Sequence, residues 1–171
     1  MPEDWLSSLP PTARAKAQKL IERMKELGAP DAEEWVRSEV TEDIPQVARF
    51  LILRRLWREM DMWRDDADTL LKHVLAEAER NPDGYFADAG RAIQKMLAAG
   101  IEIEDIARVA RMAAYEAMFS LVQVIDDGGD PDSGDDLPGW ALAEIDANGE
   151  GTGRVVDALH ESILELNPEG R

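Results

Sequence analysis

The segment from Pro45 to Trp63 reads PQVARFLILRRLWREMDMW and has the strongest helical pattern in the chain. When its residues are placed at the 100° intervals of an α-helix, seven large apolar side chains share one broad arc. They are Phe50, Ile52, Leu53, Leu56, Trp57, Met60 and Trp63. Arg54, Arg58 and Asp61 fall on a separate polar face. So wide an apolar surface is typical of a central helix that packs on more than one side. Because proline is tolerated in a first helical turn, Asp43 is predicted to cap this helix.

Helical periodicity extends over most of the chain on both sides of this stretch. Apolar residues recur at three- and four-residue spacing in the segments 12–27, 31–40, 70–80, 86–97 and 105–125. Asp31 is expected to cap the second of these. A single helix from 43 to 80 would be long for a globular domain, so a break is expected near residues 65–68. The sequence therefore predicts a mainly α protein, a helical bundle of five or six helices.

The C-terminal part departs from the helical pattern. Residues 140–145 and 152–156 have the composition of two short strands, and the Asn148-Gly149 pair between them is a strong signal for a type I′ turn. Asp157 is then expected to cap a final short helix. At 171 residues the chain has the length of one ordinary domain. We therefore expect a single domain over 1–171, with a helical part at 1–125, an acidic loop at 126–139, and a small C-terminal β-hairpin with a short helix at 140–171.

Negative charge is concentrated in the last third of the chain. The formal net charge is −17, and residues 112–171 contain fourteen Asp and Glu against two Arg, a balance of 2 − 14 = −12. Residues 1–80 have 13 basic against 17 acidic residues, so no domain-sized basic patch is available for nucleic acid or anionic lipid. The chain has no cysteine, no visible secretory signal and no apolar run of membrane-spanning length. We expect no nucleic-acid and no membrane partner, and a cytoplasmic location.

The segment from Asp146 to Asp157 has two interpretations. Its oxygen-bearing side chains follow the order of a calcium-binding loop, which makes Asp146, Asn148, Glu150 and Asp157 candidate ligands for Ca²⁺ or Mg²⁺. However, Gly153 and Arg154 stand where the loop needs an apolar residue and an uncharged one. A hairpin turn explains the same Asn-Gly pair without a metal, and the sequence favours the hairpin. No other cofactor is predicted.

Two further features of the C-terminal third could contribute to function. The run from Asp126 to Asp136 has six Asp and three Gly in eleven residues, which favours a solvated connector over a preset metal site. His160 stands three residues after Asp157 and next to Glu161, which suits an acid–base pair in a small enzyme. A structural role for this histidine is favoured, because the sequence contains no nucleophile motif and no phosphate-binding glycine loop. No catalytic residue is assigned.

Three short motifs near the end of the chain carry a resemblance to a known family. Trp140-Ala-Leu-Ala-Glu-Ile-Asp146, Leu159-His-Glu-Ser162 and Asn167-Pro-Glu-Gly-Arg171 resemble the end of a family of small uncharacterised bacterial proteins. The resemblance covers about a third of the chain. It implies a bacterial origin and carries no function with it.

These observations favour a non-enzymatic protein-binding module. An acidic surface steers a basic protein partner by electrostatic attraction, and the run from Asp126 to Asp136 is the expected contact region. The tryptophan-rich helix faces leave both a monomer and a homodimer open. Two alternatives remain: a Ca²⁺- or Mg²⁺-dependent protein using the Asp146–Asp157 segment, and a small enzyme using His160 with neighbouring carboxylates.

Overall fold

The apolar arc found in the sequence lies on a single helix in the computed structural model, which describes residues 5–134 and 136–168. This helix spans Gln46–Asp65. Phe50, Leu53, Trp57 and Met60 are its buried large apolar residues, and their three- and four-residue spacing is that of one helical stripe. The next helix begins at Ala67, so the predicted break is confirmed.

The described residues form eight α-helices and one two-stranded antiparallel hairpin. The helices are α1 (Trp5–Ser8), α2 (Pro11–Glu26), α3 (Ala32–Thr41), α4 (Gln46–Asp65), α5 (Ala67–Arg80), α6 (Ala87–Ala98), α7 (Ile103–Asp127) and α8 (Leu159–Ser162). The strands are β1 (Leu142–Ile145) and β2 (Gly151–Val156), and a 3₁₀ turn at Ile163–Leu166 follows α8. Six of the helices have ten or more residues, and 67% of the structure is helical. The predicted mainly α class with a small C-terminal hairpin is confirmed. Within the described ranges, no helix is both long and apolar enough to cross a membrane.

The chain forms two compact units. Unit 1 takes its described residues from Met1–Arg55 and Leu121–Arg171, and unit 2 consists of Leu56–Ser120. Helices α4 and α7 therefore contribute residues to both units. The prediction of a single domain stays a prediction.

Unit 1 buries apolar side chains from α2, α3, α4, α7 and the C-terminal segment. They are Ala17, Ile21, Met24, Ala32, Trp35, Val36, Phe50, Leu53, Val122, Val156, Leu159 and Ile163. Within this core the rings of Trp35 and Phe50 meet edge to face, with centroids 5.9 Å apart. This arrangement is favourable because the positive edge of one ring faces the negative face of the other.

Unit 2 contains a part-buried ion pair that the sequence pattern did not predict. Asp61, which the periodicity places on a polar face, is buried. Its Oδ1 accepts hydrogen bonds from Nε and Nη2 of Arg111 at 3.0 and 2.8 Å. The Arg111 guanidinium also lies 5.6 Å from the centre of the Trp57 ring, within the range of a cation–π contact. Residue 111 is fifty positions further along the chain, so local periodicity could not show the pairing.

Asp31 stands at the N-cap position of α3, as predicted, but without a side-chain capping hydrogen bond, and the predicted cap of α4 at Asp43 is wrong. Asp31 and Asp43 both have a left-handed backbone, with φ of 46° and 58°, and the Asp31 side chain makes no capping hydrogen bond to α3. At the start of α4, the amide of Val47 donates to Oε2 of Glu39 at 2.9 Å. The cap of α4 therefore comes from the preceding helix, because the chain turns sharply at Asp43 and brings α3 close to the first turn of α4.

The predicted boundary between the helical part and the acidic loop is also wrong by two residues. Helix α7 continues through Asp126 and Asp127, and the chain leaves the helix at Gly128, whose φ is +67°. Glycine adopts this left-handed conformation without steric cost, which explains why the helix ends there and not at Ile125. The first two carboxylates of the expected loop consequently belong to a helix.

The hairpin is present, but its turn differs from the predicted type I′. Leu142 pairs with Val156, Ala143 with Val155, and Ile145 with Gly151. Gly149 has a positive φ of 85°, whereas Asn148 is not among the described residues with positive φ. A type I′ turn needs both. The amide of Gly149 donates to the carbonyl of Asp146, and the amide of Asp146 donates to the carbonyl of Glu150, which closes a three-residue loop.

Candidate functional site: the C-terminal acidic surface

Arg154 is the single Lys or Arg between residues 121 and 168, and its side chain is directed into unit 1. Its Nη2 lies 2.7 Å from Oε1 of Glu39 and 2.6 Å from Oε1 of Glu144, while its Nε donates to Oε2 of Glu144 at 2.8 Å. The Arg154 side chain keeps 23% of its exposure, and the two glutamates keep 12% and 11%. The positive charge of this segment is therefore neutralised inside the unit.

The charges in this cluster change the pKa values of their neighbours. Burial of Glu144 opposes its ionisation, but hydrogen bonds from Arg154 and from the Thr152 hydroxyl outweigh burial and lower the pKa of Glu144. Burial also disfavours the charged form of Arg154, yet hydrogen bonds to Glu144 and Glu39 raise the pKa of Arg154. Glu144 and Arg154 are therefore both ionised at neutral pH, and the cluster is an ion-pair network at that pH.

The carboxylates that remain exposed in this segment form a surface that we call the acidic surface. Its nine members are Asp127, Asp130, Asp132, Asp136, Asp146, Glu150, Asp157, Glu161 and Glu165. Asp126 and Glu144 are not members, because their side chains are only 6% and 11% exposed. With Arg154 directed inward, this surface presents negative charge without an exposed Lys or Arg among residues 121–134 and 136–168.

Apolar side chains are exposed in the same segment. Alternation along the hairpin separates Glu144 and Arg154, which are shielded, from Ala143, Ile145 and Val155, which are exposed. Large exposed apolar side chains in the segment are Leu121, Val124, Leu137, Trp140, Ile145, Val155 and Leu164. Trp140 is held in place by its indole N–H, which donates to the carbonyl of Val124 at 2.8 Å. The exposed apolar side chains and the exposed carboxylates thus belong to the same segment of the chain.

The four residues predicted as metal ligands are divided between the two ends of the hairpin. Asp146, Asn148 and Glu150 lie in or beside the turn, while Asp157 follows Val156, which pairs with Leu142 at the other end. Four residues along a strand correspond to about 13 Å. In residues 5–134 and 136–168, no three His, Asp or Glu side chains are grouped as a metal site would require. The metal site at these residues stays a prediction.

Asp146 has a structural role in the turn. Its Oδ1 accepts the amides of Asn148 and Glu150 at 2.8 and 3.0 Å, and its Oδ2 accepts the Asn148 side-chain amide at 3.2 Å. The backbone hydrogen bond from Glu150, followed by that from Asn148, lowers the pKa of Asp146. Because the carboxylate organises its own loop, the hairpin interpretation accounts for its position.

His160 is paired with Asp126 and not with the neighbours proposed from the sequence. Oδ2 of Asp126 lies 2.8 Å from Nδ1 of His160 and also accepts the His160 amide at 2.9 Å. Asp126 thereby caps α8 in place of Asp157, so the predicted Asp157 cap is wrong. The reason is that Ala158, with a φ of 51°, turns the chain and brings α8 next to the last turn of α7. The use of His160 in catalysis stays a prediction.

Arg49 is a further residue that the sequence analysis missed. It is buried in α4, and its Nη2 donates to the carbonyl of Ala158 at 2.7 Å and to the hydroxyl of Ser162 at 2.9 Å. The sequence contained a signal for it, because helical spacing places Arg49 inside the apolar arc, one turn before Leu53. A cation on an apolar stripe indicates a buried polar contact.

Comparisons with protein-family models, with curated proteins and with solved structures give no match for this chain.

Proposed function

We propose that this protein is a non-enzymatic binding module that uses the acidic surface to engage a basic protein partner. The same proposal places it in the cytoplasm, which the absence of cysteine supports, since cysteine-free chains suit a reducing compartment. The partner's contact face is expected to carry Lys and Arg around apolar side chains, as the complement of the acidic surface and its exposed Ile145 and Val155.

The single observation that carries the proposal is the inward orientation of Arg154. A cation in an acidic segment ordinarily reduces the outward field, but this one is bound by Glu39 and Glu144. No exposed Lys or Arg among residues 121–134 and 136–168 therefore offsets the charge of the nine exposed carboxylates. Fields of this kind raise association rates by about 10 to 1,000-fold at low ionic strength.

The apolar side chains within the acidic surface give the proposal a source of affinity. Long-range charge mainly accelerates encounter, whereas desolvated apolar contacts slow dissociation. Ile145 and Val155 are 64% and 49% exposed on the outer face of the hairpin, where a partner could cover them. Charge and apolar area together fit a specific protein contact better than charge alone.

The test compares baits that differ only in where charge has been removed. In the first variant, five members of the acidic surface become amides: Asp127→Asn, Asp132→Asn, Asp136→Asn, Asp157→Asn and Glu165→Gln. Their side chains make no hydrogen bond or ion pair within the described part of the chain, so the fold is expected to remain intact. The matched control removes five exposed carboxylates from unit 2: Glu79→Gln, Asp83→Asn, Glu102→Gln, Glu104→Gln and Glu116→Gln.

We expect the wild type and the control to retain the same basic protein from a lysate of the source organism, and the acidic-surface variant to lose it. The association rate constant of that protein should fall at least about tenfold in the variant at low ionic strength, and less at high ionic strength. Retention of the same proteins by all three baits would sink the proposal. So would an association rate that does not depend on salt.

A further inference from the structure

Unit 2 contains a cavity of about 410 Å³ at the turn that joins α5 to α6. Its walls include His73 and Glu77 of α5, Asn81 at the end of that helix, and Tyr85 and Phe86 of the turn. The volume lies in the range of small-molecule sites, which is roughly 300–1,000 Å³. All the lining residues belong to unit 2, so the cavity and the acidic surface share no residue.

Close contact between α5 and α6 builds this cavity. A Cβ on Gly90 would lie 2.3 Å from the Cβ of Ala78, so only glycine allows α6 to lie this near to α5. In the connecting turn, Gly84 donates to the carbonyl of Asn81 at 2.9 Å, and Ala87 donates to the carbonyl of Gly84 at 3.1 Å. These bonds fix the backbone on both sides of Tyr85 and Phe86. The two aromatic residues therefore stand on an ordered support.

The aromatic pair is exposed in a way that folding does not explain. Tyr85 and Phe86 are 93% and 71% exposed, the highest values among the exposed large apolar residues of the described chain. Their rings are nearly perpendicular, at 83°, with centroids 5.0 Å apart. In this edge-to-face contact one ring covers part of the other, and the high exposure of both side chains leaves the remaining π faces accessible to an organic cation.

The residues that line the cavity include a negatively charged side chain, which favours a cationic ligand. Among the nine described residues that line the cavity, Glu77 supplies a carboxylate, and none is Lys or Arg. Glu77 is ion-paired with Arg80, but that pair is exposed on both sides and contributes little, so a ligand can compete for the carboxylate. The C-terminus of α5 and the N-terminus of α6 meet at this turn, and their end charges offset each other. The preference for a cation therefore rests on Glu77 and the aromatic faces.

We propose that this cavity binds an alkylated ammonium group, with its methyl groups against Tyr85 and Phe86 and its charge near Glu77. The proposal does not depend on the acidic surface or on a protein partner for it. An alkylated ammonium fits better than a bare metal ion or an unmodified amine. It is weakly hydrated, and it presents apolar methyl groups that carry positive charge to the aromatic rings. Two sources can supply it: a free small molecule such as choline, or a methylated lysine side chain.

The experiment titrates the full-length protein with choline and, in parallel, with dimethylbutanol, the neutral analogue in which a tert-butyl group replaces trimethylammonium. Amide chemical shifts at residues 84–87 report binding at the cavity. Choline is expected to bind about tenfold more tightly than dimethylbutanol, as a cation–π contribution predicts. Equal binding of the two compounds, or no shift at these residues with either choline or a trimethyllysine peptide, overturns the proposal.

Substitutions of residues that line the cavity test whether choline binds there. Tyr85→Leu and Phe86→Leu keep apolar area but remove a π face, and each is expected to weaken choline binding about five- to tenfold. Met112→Leu changes an exposed apolar residue of unit 2 that does not line the cavity, so it should bind choline as the wild type does and is the matched control. Glu77→Gln should weaken choline binding and leave dimethylbutanol unchanged. Because both aromatic side chains are exposed, thermal melts of these variants should match the wild type. Leucine variants that bind choline as the wild type does contradict the proposal.

A peptide arm distinguishes the two sources of the ligand. A short peptide with one trimethyllysine is compared with the same peptide carrying unmodified lysine. Stronger binding of the trimethylated peptide than of choline identifies a modified protein as the source, and the reverse identifies a free small cation. Both outcomes support an alkylated-ammonium site at the cavity, whereas equal binding of the trimethylated and unmodified peptides contradicts that proposal.

Discussion

The β-hairpin of unit 1 and the helical hairpin formed by α5 and α6 in unit 2 are both antiparallel pairs with a short connection, yet different forces hold them. The shielded face of the β-hairpin carries the charged pair Glu144 and Arg154, bound in turn to Glu39. The helical hairpin is held by backbone proximity at Gly90 and Ala78, with Leu71 and Ala87 buried. An element held by charge responds to pH and to loss of a partner, whereas an element held by packing responds to added volume.

The two proposed binding sites should also differ, in how strongly binding at each depends on salt. The acidic surface attracts its partner over a distance and should be sensitive to salt. The aromatic cavity acts only at contact, so choline binding should change little over an ionic strength range that slows partner association several-fold.

Removal of Arg154 is the largest perturbation expected for the β-hairpin. Arg154→Met keeps much of the apolar stem but leaves Glu39 and Glu144 shielded without a cation. The free energy of unfolding should fall by about 2 to 3 kcal/mol, below the figure for a fully buried pair because the side chain keeps some exposure. Urea denaturation measures the effect. Arg108→Met, which breaks an exposed pair with Asp105, is the control and should cost less than about 0.5 kcal/mol. Equal losses in the two variants would show that charge does not hold the β-hairpin.

Added volume at Gly90 is the corresponding perturbation of the helical hairpin. Gly90→Ala should destabilise the protein by about 1 to 2 kcal/mol, because the clash with Ala78 exceeds the gain in helix propensity. The double variant with Ala78→Gly should recover part of this loss, since it restores the space. Gly129→Ala, where a new Cβ meets nothing within 4 Å, serves as the control. Full stability of Gly90→Ala in urea would mean that the two helices are not held by close approach.

As the pH is lowered, the β-hairpin should lose stability at a higher pH than the helical hairpin does. The pKa values of Glu144 and Asp146 are lower in the folded state than in the unfolded state, whose reference values are 4.5 and 3.8. Their contribution to stability is therefore present above those reference values and is lost as the pH falls through the lower folded values. Hydrogen exchange of Ala143 and Val155 amides should accelerate as the pH is lowered from 5 to 3, relative to intrinsic rates, while exchange in α5 stays protected. In Glu144→Gln the acceleration of exchange at low pH should be smaller. An acceleration as large as that of the wild type would exclude protonation of Glu144 as the cause.

The smallest effect concerns the cap of α8. Asp126→Ala should cost about 1 kcal/mol, because it removes the acceptor of the His160 amide and of its ring nitrogen. The loss is limited, since Oδ1 of Asp126 is buried without a hydrogen-bond partner in the described structure and its removal relieves a desolvation cost. Asp157→Ala should change the melting temperature very little. A larger loss of stability in Asp157→Ala than in Asp126→Ala would support Asp157 as the cap, as the sequence predicted.

Several elements of the fold could be predicted because their signals are local. The arc of α4, the break before α5, and the two strands all follow from spacing and turn residues within a few positions. The hairpin interpretation of Asp146 belongs to the same group, since its carboxylate accepts hydrogen bonds from residues two to four positions away. Arg49 left a partial signal in the form of a cation on an apolar stripe.

The partners of charged residues could not be predicted in the same way. Asp126 and His160 are separated by 34 positions, Asp61 and Arg111 by 50, and Arg49 and Ser162 by 113. Each pairing depends on how elements pack, and many carboxylates in so acidic a chain could have served each cation. For the same reason the sequence offered Asp157 as the cap of α8 and as a metal ligand, while the structure places it on the surface at the end of the hairpin.

The mainly α class, the positions of the long helices and the hairpin, and the concentration of acid in the last third could be read from local sequence, because periodicity, turn chemistry and charge are properties of neighbouring residues. Tertiary packing set which charges are exposed. It directed Arg154 inward, removed Asp126 and Glu144 from the surface, and set Tyr85 and Phe86 beside Glu77. Exposure is a property of packing, and the free energy of burying a charge depends on a partner that only the folded chain brings within reach.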